Sequence, residues 1–355
     1  MKTIFLTGGT GFIGSYLLQT LLLKGYKVFC LVRKDSPKNI LSCLEFWDKH
    51  SLSKIRNNFE VINGDIRKPD LDINSHDVLR LQGQIDEIFH CAAGTNLRED
   101  FLSLKQVNVD GTFNILSFAE KISNRRLRKV NYFSTVYVCG DYQGKFMEDN
   151  LDMRQSFNTS YEKTKFLAEK QIDLFRKRGL WIDIYRPPIV LGESVSGKTP
   201  SFQSIFQAIH LFNMEIFDVY PAKDVPSNII CVDSLVNAIL SINEFTKERN
   251  CTYHPFHDAT ILFEEMIYIA SKYLGYKMPK LVRREEFKIN NLSAIQRKLL
   301  ENTIFTFNPN AAISSSKTMQ VLRSLNSEIP RFDEKIFLKL LKYSVDCNFI
   351  KRKIK

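Results

Sequence analysis

The sequence of 355 residues has no apolar run of the about 18–20 residues that a membrane-spanning helix needs. Glycines interrupt the apolar stretch at its start, MKTIFLTGGTGFIG, which therefore does not resemble a secretory signal, and we expect a cytoplasmic protein. The seven cysteines are scattered without a CxxC pair, which argues against a disulfide framework or a zinc ribbon. The six histidines form no HExxH motif, so no metal site is predicted.

The charge is one-sided, because 50 lysines and arginines stand against 39 acidic residues, a net charge of +11. Such an excess could favour nucleic acid, anionic lipid or an acidic protein partner. The basic residues are nevertheless dispersed, apart from three short clusters: SNRRLRK (123–129), LVRREEFK (281–288) and KRKIK (351–355). From this dispersion we expect no nucleic-acid partner, and a lysine-rich proteome is the simpler explanation of the excess.

Up to Gly192 the sequence alternates short apolar runs with longer segments whose apolar residues recur every three or four positions. The short runs predict strands at Lys2–Leu6, Lys27–Val32, Phe59–Asn63, Glu87–His90, Lys129–Ser134 and Trp181–Arg186. The longer segments predict amphipathic helices at Phe12–Leu23, Ile40–Lys49, Phe101–Phe118 and Tyr161–Arg178. This alternation predicts an α/β fold in which a doubly wound parallel sheet is covered by helices on both faces.

A glycine-rich turn joins the first strand to the first helix in the segment TGGTGFIG (7–14). Gly8 permits the tight turn, Gly11 lets the backbone approach a pyrophosphate, and Gly14 lets the helix pack closely against the strand. The free N–H groups at the start of the helix would bind the pyrophosphate. The predicted cofactor contacts of this turn are Gly8, Thr10, Gly11, Phe12, Ile13 and Gly14. The turn therefore predicts a dinucleotide site in a Rossmann sheet.

A cation replaces the expected acid at the end of the second strand. NAD sites place Asp or Glu about 20 residues past the glycines, where it binds the ribose 2′-hydroxyl. Here Arg33 lies 19 residues past Gly14, and Lys34 follows it. Because a cation can pair with a 2′-phosphate, we predict NADP rather than NAD, with Arg33 and Lys34 as contacts. The alternative is a solvated charge at the end of a strand.

Beyond Gly192 the sequence becomes helical and aromatic. Helices are expected in SIFQAIHLFN (204–213), SLVNAILSI (234–242), FEEMIYIASKYLGY (263–276) and KIFLKLLKYSV (335–345), and a strand in NIICV (228–232). The segment Asn228–Ile242 is expected to return to the main sheet. We therefore predict an NADP-binding Rossmann domain of residues 1–192 and 226–258, and a smaller, mostly helical C-terminal substrate lobe of residues 193–225 and 259–355.

Tyr161 and Lys165 stand four residues apart in a predicted helix and therefore share one of its faces. A free phenol has a pKa of about 10, which is too high for ready proton exchange at neutral pH. A lysine cation favours the phenolate, so we expect Lys165 to lower the pKa of Tyr161 and to prepare it for general acid catalysis. A pair of hydroxyl residues, Ser134 and Thr135, ends an intervening strand.

These motifs resemble the extended short-chain dehydrogenase/reductase superfamily over roughly residues 1–240. The matching segments are TGGTGFIG (7–14), GDI (64–66), HCAAG (90–94), NVDGT (108–112), FST (133–135), YEKTK (161–165) and RPP (186–188). The resemblance implies that Thr135 hydrogen-bonds the reacting carbonyl and that Tyr161 donates the proton. It also implies that Lys165 binds the nicotinamide ribose and tunes the phenol.

The same resemblance implies further cofactor contacts. The expected residues are Asp65 and Ile66 at the adenine, Ala92, Ala93 and Gly94 along the cofactor channel, Asn108 in support from the next helix, and Pro187, Pro188 and Ile189 at the nicotinamide carboxamide.

Several details are similar to the thioester reductase branch of the superfamily, which includes terminal reductase domains and fatty acyl reductases. They are VFCLVRK (28–34), NGDIRKPDL (63–71), Thr135 and RPPIVLGESVSGK (186–198). The resemblance implies an NADPH-dependent oxidoreductase that reduces an acyl thioester, bound to coenzyme A or a carrier protein, to an aldehyde or alcohol.

Three other functions stay open. They are a nucleotide-sugar epimerase or dehydratase, a ketone reductase for a 3-oxo lipid or sterol-like substrate, and a non-catalytic NADP sensor. Sugar-modifying members usually carry Tyr-Gly where this chain has VYVCG (136–140), which weakens the first alternative. The complete set of Thr135, Tyr161 and Lys165 argues against the sensor.

The basic surface would suit an acidic carrier protein or coenzyme A. The helix at 335–345 and the basic tail could instead make a weak peripheral contact with a membrane surface, although a solvated helix is the simpler interpretation. A homodimer also stays open. The segment GESVSGKT (192–199) fits the P-loop pattern, but Pro200 follows where a P-loop continues into a helix, so we predict a substrate-side loop.

Overall fold

The computed structural model describes residues 1–36, 39–50, 55–123, 126–258, 261–300 and 311–353. Residues 124–125 of the first basic cluster and 354–355 of the basic tail lie outside the described residues, as do residues 259–260 and 301–310 of the predicted substrate lobe.

Strands and helices alternate through the first half of the chain. The strands are β1 Thr3–Thr7, β2 Lys27–Val32, β3 Phe59–Asn63, β4 Glu87–His90, β5 Lys129–Phe133, β6 Gly144–Phe146, β7 Ile182–Tyr185, β8 Ile189–Leu191, β9 Val219–Tyr220, β10 Ile229–Cys231, β11 Thr252–Tyr253, β12 Lys280–Leu281 and β13 Ala311–Ile313. The helices are α1 Phe12–Leu23, α2 Ile40–Trp47, α3 Ser75–Leu81, α4 Phe101–Lys105, α5 Gly111–Ile122, α6 Ser160–Lys177, α7 Ile205–Asn213, α8 Val232–Phe245, α9 Phe263–Leu274, α10 Ala294–Leu300, α11 Ser316–Ser324 and α12 Glu334–Asp346.

Seven of the described strands form one parallel sheet in the order β3-β2-β1-β4-β5-β7-β11. Every residue of β1 and β5 is buried, because helices cover both faces of the sheet. The helix α1 and the helix α8 share one apolar core with β1 and β2 on one face, while α5 and α6 pack on the other. The predicted doubly wound Rossmann sheet is therefore confirmed.

The chain leaves this sheet directly after β7, at Pro187 and Pro188. Proline has no N–H to continue a strand ladder, so the next strand, β8, cannot extend the same pairing. It pairs instead with β10 as a separate two-stranded parallel sheet, with Ile189 opposite Ile229. The prediction that Asn228–Ile242 returns to the main sheet is therefore wrong for its strand, although the helix that follows packs against α1 beside the sheet.

The C-terminal lobe has an apolar core of its own. Helices α7, α9 and α12 surround it, and Phe206, Met266 and Phe337 are buried in it. The outer residues of β8 and β10 also face this core, whereas Val190 and Ile230 face the core of the main sheet, so these two strands connect the lobe to the end of the main sheet. In the part of the chain that the structure describes, no helix combines the length and the hydropathy that a bilayer crossing would require.

Candidate functional site

The glycine turn between β1 and α1 brings backbone segments so close together that side chains do not fit. Gly8 has φ +77°, and its carbonyl accepts a hydrogen bond from the N–H of Gly11 at 2.9 Å. A Cβ on Gly8 would lie 2.6 Å from the nitrogen of Ala92, and one on Gly14 would lie 2.7 Å from the carbonyl carbon of Gly8. The N-cap of α1, Gly11, has no side chain to occupy the first N–H groups. This cradle fits the pyrophosphate of a dinucleotide.

The cradle lies where the sheet changes direction. Strands β1 and β4 are neighbours in the sheet, and the chain winds away from β1 towards β3 on one side and away from β4 towards β11 on the other. Ligands of open α/β sheets bind beyond the carboxyl ends of the strands at this switch point. The topology therefore positions the turn where a dinucleotide site is expected.

A chain of hydrogen bonds fixes the backbone after β4. The hydroxyl of Thr112 donates to the carbonyl of Asn108 at 2.6 Å, so the Nε2–H of His90, 3.2 Å away, donates to Thr112. Nδ1 of His90 then accepts from the hydroxyl of Thr7 at 2.7 Å, and Thr7 accepts from the N–H of Ala92. Burial lowers the pKa of His90 to about 3, which keeps the ring neutral in this chain.

Asn108 lies in a wide turn that the sequence pattern does not reveal. The predicted helix at Phe101–Phe118 is α4, one turn of π-helix at Gln106–Asp110, and α5. Such turns often occur at functional sites. The side chain of Asn108 accepts from the N–H of Gly94 at 2.8 Å and donates to the carbonyl of Gly94 and to the hydroxyl of Thr164, both at 3.0 Å. Asn108 therefore joins the segment after β4 to α6.

Thr135 and Tyr161 meet at one wall of a cavity of about 700 Å³. Thr135 follows β5, and Tyr161 lies in the first turn of α6, whose N-cap is Thr159. Burial raises the pKa of Tyr161 to about 12, although a hydrogen bond with the Thr135 hydroxyl opposes this rise. The prediction that the phenol has a lowered pKa is therefore wrong, because burial outweighs the other influences on it. At neutral pH the phenol is protonated and can donate.

Lys165 is only 2% exposed and lies beneath the site. Its Nζ donates to the carbonyl of Phe133 at 2.6 Å and lies 4.3 Å from the centre of the Tyr132 ring. Burial lowers the pKa of Lys165 to about 7, against the opposing negative charge of Glu169. The ammonium is therefore held at the end of β5.

About half of the predicted site residues line the cavity. They are Gly8, Gly11, Phe12, Ile13, Gly14, Ala93, Thr135, Tyr161, Pro188 and Ile189. The other predicted residues lie outside its wall: Thr10, Arg33, Lys34, Asp65, Ile66, Ala92, Gly94, Asn108, Lys165 and Pro187. Ile66, for example, packs in the core beside Gly111, and its carbonyl accepts from Asn114 at 2.8 Å. Its side chain therefore does not face the cavity.

Two arginines lie near Asp65, the acid that follows β3. Arg67 forms a salt bridge with the carboxylate of Asp65, with Nη2 2.6 Å from Oδ2 and Nε 3.0 Å from Oδ1. Burial raises the pKa of Asp65, but Arg67 and, to a smaller extent, Arg33 outweigh burial and hold this pKa below its ordinary value. Arg33, with its side chain 47% exposed, also lies 3.7 Å from Asp35. Sequence reasoning identified Arg33 but missed Arg67.

A second wall of the cavity contains no predicted site residue, although residues 199–207 were expected in the substrate lobe. Residues 95–98, 199–201, 203–204 and 206–207 form this wall together with Tyr137 and Glu162. Glu162 accepts from the N–H of Asn158 at 2.9 Å, while its own N–H donates to Thr159, as in a capping box. Burial raises the pKa of Glu162 to about 7. The letters TSYE (159–162) carry the capping signal and could have revealed Glu162, whereas residues 199–207 were predicted only as parts of a loop, a helix and the substrate lobe.

The segment that fits the P-loop pattern, residues 192–199, is a loop held by hydrogen bonds at the edge of this wall. The N–H of Gly197 donates to the carbonyl of Glu193 at 2.8 Å, and Nζ of Lys198 donates to the carbonyl of Trp47 at 3.3 Å. The chain continues through Pro200 without a helix until α7 begins at Ile205, and Thr199 lines the cavity. The end of the loop therefore lies at the cavity, while its lysine binds the carbonyl at the end of α2.

Comparison with known proteins shows the family of this chain. Residues 6–239 match the NAD-binding family described as male sterility protein. The chain belongs to this family. It is an extended short-chain dehydrogenase/reductase of the thioester reductase-like branch and hence an NAD(P)-dependent oxidoreductase.

Three relatives show the extent of the likeness. A linear gramicidin synthase subunit of Brevibacillus parabrevis is 25% identical over 96% of this chain and 7% of its own length. The L-2-aminoadipate reductase large subunit of Penicillium chrysogenum is 29% identical over 56% of this chain and 15% of its own length. The solved terminal R domain from the myxalamid PKS-NRPS biosynthetic pathway is 25% identical, with a TM-score of 0.84, over 100% of this chain and 93% of that one. This chain thus spans a small part of both curated relatives.

Proposed function

We propose that this protein uses NADPH to reduce an acyl thioester, carried by a carrier protein or coenzyme A, to an aldehyde or alcohol. The observation that carries the proposal is the shared cavity, in which the Thr135 hydroxyl and the Tyr161 phenol face the space beside the glycine cradle. The names of the relatives support the thioester, because they include a terminal R domain and a gramicidin synthase. The cytoplasmic location and a homodimer stay predictions.

The chain's own residues would bind the substrate and move one proton. When bound, the nicotinamide would supply the hydride that adds to the carbonyl carbon. The hydroxyls of Thr135 and Tyr161 would hold the carbonyl oxygen, and the Tyr161 phenol would donate its proton as negative charge develops there. Lys165 would bind the ribose from beneath. Breaking the carbon–sulfur bond then releases a thiol and leaves an aldehyde, which a second reduction converts to the alcohol.

A substrate panel tests this reaction. We expect NADPH absorbance to fall with acyl thioesters on coenzyme A or a carrier protein, and free thiol to appear as NADPH is consumed. One thiol per NADPH indicates the aldehyde as product, and one thiol per two NADPH indicates the alcohol. A 3-oxo lipid that consumes NADPH where no thioester does would replace the proposal with a ketone reductase. A nucleotide sugar converted without net NADPH consumption would replace it with an epimerase or dehydratase.

We also propose that the site prefers NADP to NAD through Arg33. The Arg33 guanidinium can pair with a 2′-phosphate, while Arg67 neutralises the Asp65 carboxylate that would otherwise repel it. We expect Arg33→Ala to weaken NADPH binding by about tenfold and to leave NADH binding unchanged, because the phosphate contact is worth on the order of 1–3 kcal/mol. Fluorescence titration of both cofactors measures this.

The matched control is Arg126→Ala. Arg126 has a similar exposure, 44% of its side chain, but pairs with Asp86 at the start of β4, the opposite end of the sheet from the cradle. It should leave both affinities unchanged. An equal loss of NADPH and NADH affinity in Arg33→Ala would show that Arg33 does not bind the 2′-phosphate.

A further inference from the structure

An ion pair closed off from solvent lies directly beneath the site. Glu169 is 1% exposed and Arg186 is 2% exposed. Nη2 of Arg186 lies 2.7 Å from Oε2 of Glu169, and its Nε lies 3.0 Å and 3.1 Å from the two carboxylate oxygens. Burying two charges costs free energy that their attraction only roughly repays, so stability alone does not explain such a pair.

The remaining donors of Arg186 are satisfied by the chain around it. Its Nη1 donates to the carbonyl of Asn150 at 2.8 Å and lies 3.2 Å from Nε2 of His254. Because Nδ1 of His254 lies 2.7 Å from the carbonyl of Ser314, Nδ1 carries the proton and Nε2 accepts from Arg186. Burial lowers the pKa of His254 to about 3, so this ring adds no charge. The guanidinium is held firmly in one position.

Two side chains of the site, those of Ser134 and Arg186, bind the carboxylate of Glu169. The hydroxyl of Ser134, the residue before Thr135, donates to Oε1. Arg186 leads directly into Pro187 and Pro188, the second of which lines the cavity. Lys165 stands four residues before Glu169 and therefore on the same face of α6.

We propose, resting on the function proposed above, that Glu169 is a positioning residue that keeps Lys165 protonated and holds the strand end before Thr135 against the helix that carries Tyr161. The pair with Arg186 fixes the carboxylate in the place from which it acts on Lys165.

Among the described groups around Lys165, Glu169 is the one that supplies negative charge. From β5 it meets the Tyr132 ring and the Phe133 carbonyl, and from the end of β4 it meets His90 and Cys91. Burial keeps His90 uncharged, and it raises the pKa of the Cys91 thiol well above its ordinary value, so neither is ionised at neutral pH. Burial lowers the pKa of Lys165 to about 7, and the negative charge of Glu169 is the largest effect that opposes this decrease.

The test is a pair of pH profiles. Raising the pH removes the proton of Lys165, so activity and NADPH affinity should both fall on the alkaline side. In Glu169→Gln the amide keeps the shape but not the charge, and we expect this alkaline limb to move to lower pH by about one unit. The limb is measured in kcat/KM and, independently of turnover, in the NADPH dissociation constant by fluorescence titration.

The matched control is Ser134→Ala. It removes one hydrogen bond from the same carboxylate but keeps both charges of the ion pair, so its alkaline limb should stay at the wild-type pH. If Glu169 had only a structural role, the alkaline limb would lie at the same pH in Glu169→Gln and in Ser134→Ala.

Glu169→Gln leaves the Arg186 charge buried without a partner, which can prevent folding. The double variant Glu169→Gln/Arg186→Met removes both charges, and we expect the same shift in it. If this double variant folds and its alkaline limb stays at the wild-type pH, the inference about Glu169 is overturned, while the proposed reduction stays intact. A wild-type protein that turns over no thioester would overturn the proposed function, and the binding limb would still decide the role of Glu169.

Discussion

Replacing Tyr161 with phenylalanine is expected to reduce NADPH-dependent turnover by about 10²–10⁴-fold, the usual contribution of a general acid, while NADPH still binds. Phenylalanine keeps the ring at the cavity wall but removes the hydroxyl that hydrogen-bonds Thr135. The pKa of about 12 that burial gives the phenol keeps its proton available over the neutral range. Without that proton, negative charge on the reacting oxygen has no acid to neutralise it. Steady-state kinetics and NADPH fluorescence measure the two halves of this prediction.

The matched control is Tyr26→Phe. Tyr26 is also a half-buried tyrosine with a bonded hydroxyl, which donates to Glu244 at 2.7 Å, but it precedes β2 at the end of the sheet away from the cradle. Its turnover should equal that of the wild type. Wild-type turnover in Tyr161→Phe would remove the phenol from the reaction, and equal losses in both variants would point to a general effect of losing a hydroxyl.

The sheet could be predicted from the sequence because its signals are local. The bounds of β2, β3 and β4 agree with the prediction residue for residue. The interior strands β2 and β4 are buried along most or all of their length and are recognisable as short apolar runs. The edge strand β3 is only partly buried, and its aromatic and β-branched residues indicate it instead. The cradle was equally predictable, because Gly8 is required by its own φ of +77° and Gly14 by a contact with Gly8 within one strand–turn–helix unit. Local packing therefore determines both features.

The interior of the site could not be predicted in the same way. The spacing of Tyr161 and Lys165 predicts a shared helix face, but the pKa values of both depend on burial, which only the tertiary structure supplies. The cavity-lining residues between 199 and 207 lie just before α7 and in its first turn, and no periodicity indicates that this segment borders the cavity.

Replacing Gly14 with alanine is expected to weaken NADPH binding by at least about tenfold and to lower the melting temperature. The added Cβ would meet the carbonyl oxygen of Gly8 and lie 2.7 Å from its carbon, and backbone cannot give way as a flexible side chain can. The turn must therefore shift, and with it the 2.9 Å hydrogen bond between Gly11 and Gly8 that shapes the cradle. Overpacking of this kind costs about 1–3 kcal/mol, and a loss of 1.4 kcal/mol in binding is tenfold. Fluorescence titration and thermal melting measure the two effects separately.

The control for lost stability is Gly25→Ala, at a glycine with φ +80° and open space around its Cβ position. Alanine is strained at that backbone conformation, so this variant should also melt earlier, but its NADPH affinity should stay at the wild-type value because the strain lies in the turn between α1 and β2. A cofactor affinity that falls equally in both variants would trace the loss to general destabilisation. Unchanged NADPH affinity in Gly14→Ala would mean that the cofactor does not rely on the close approach of α1 to the glycine turn.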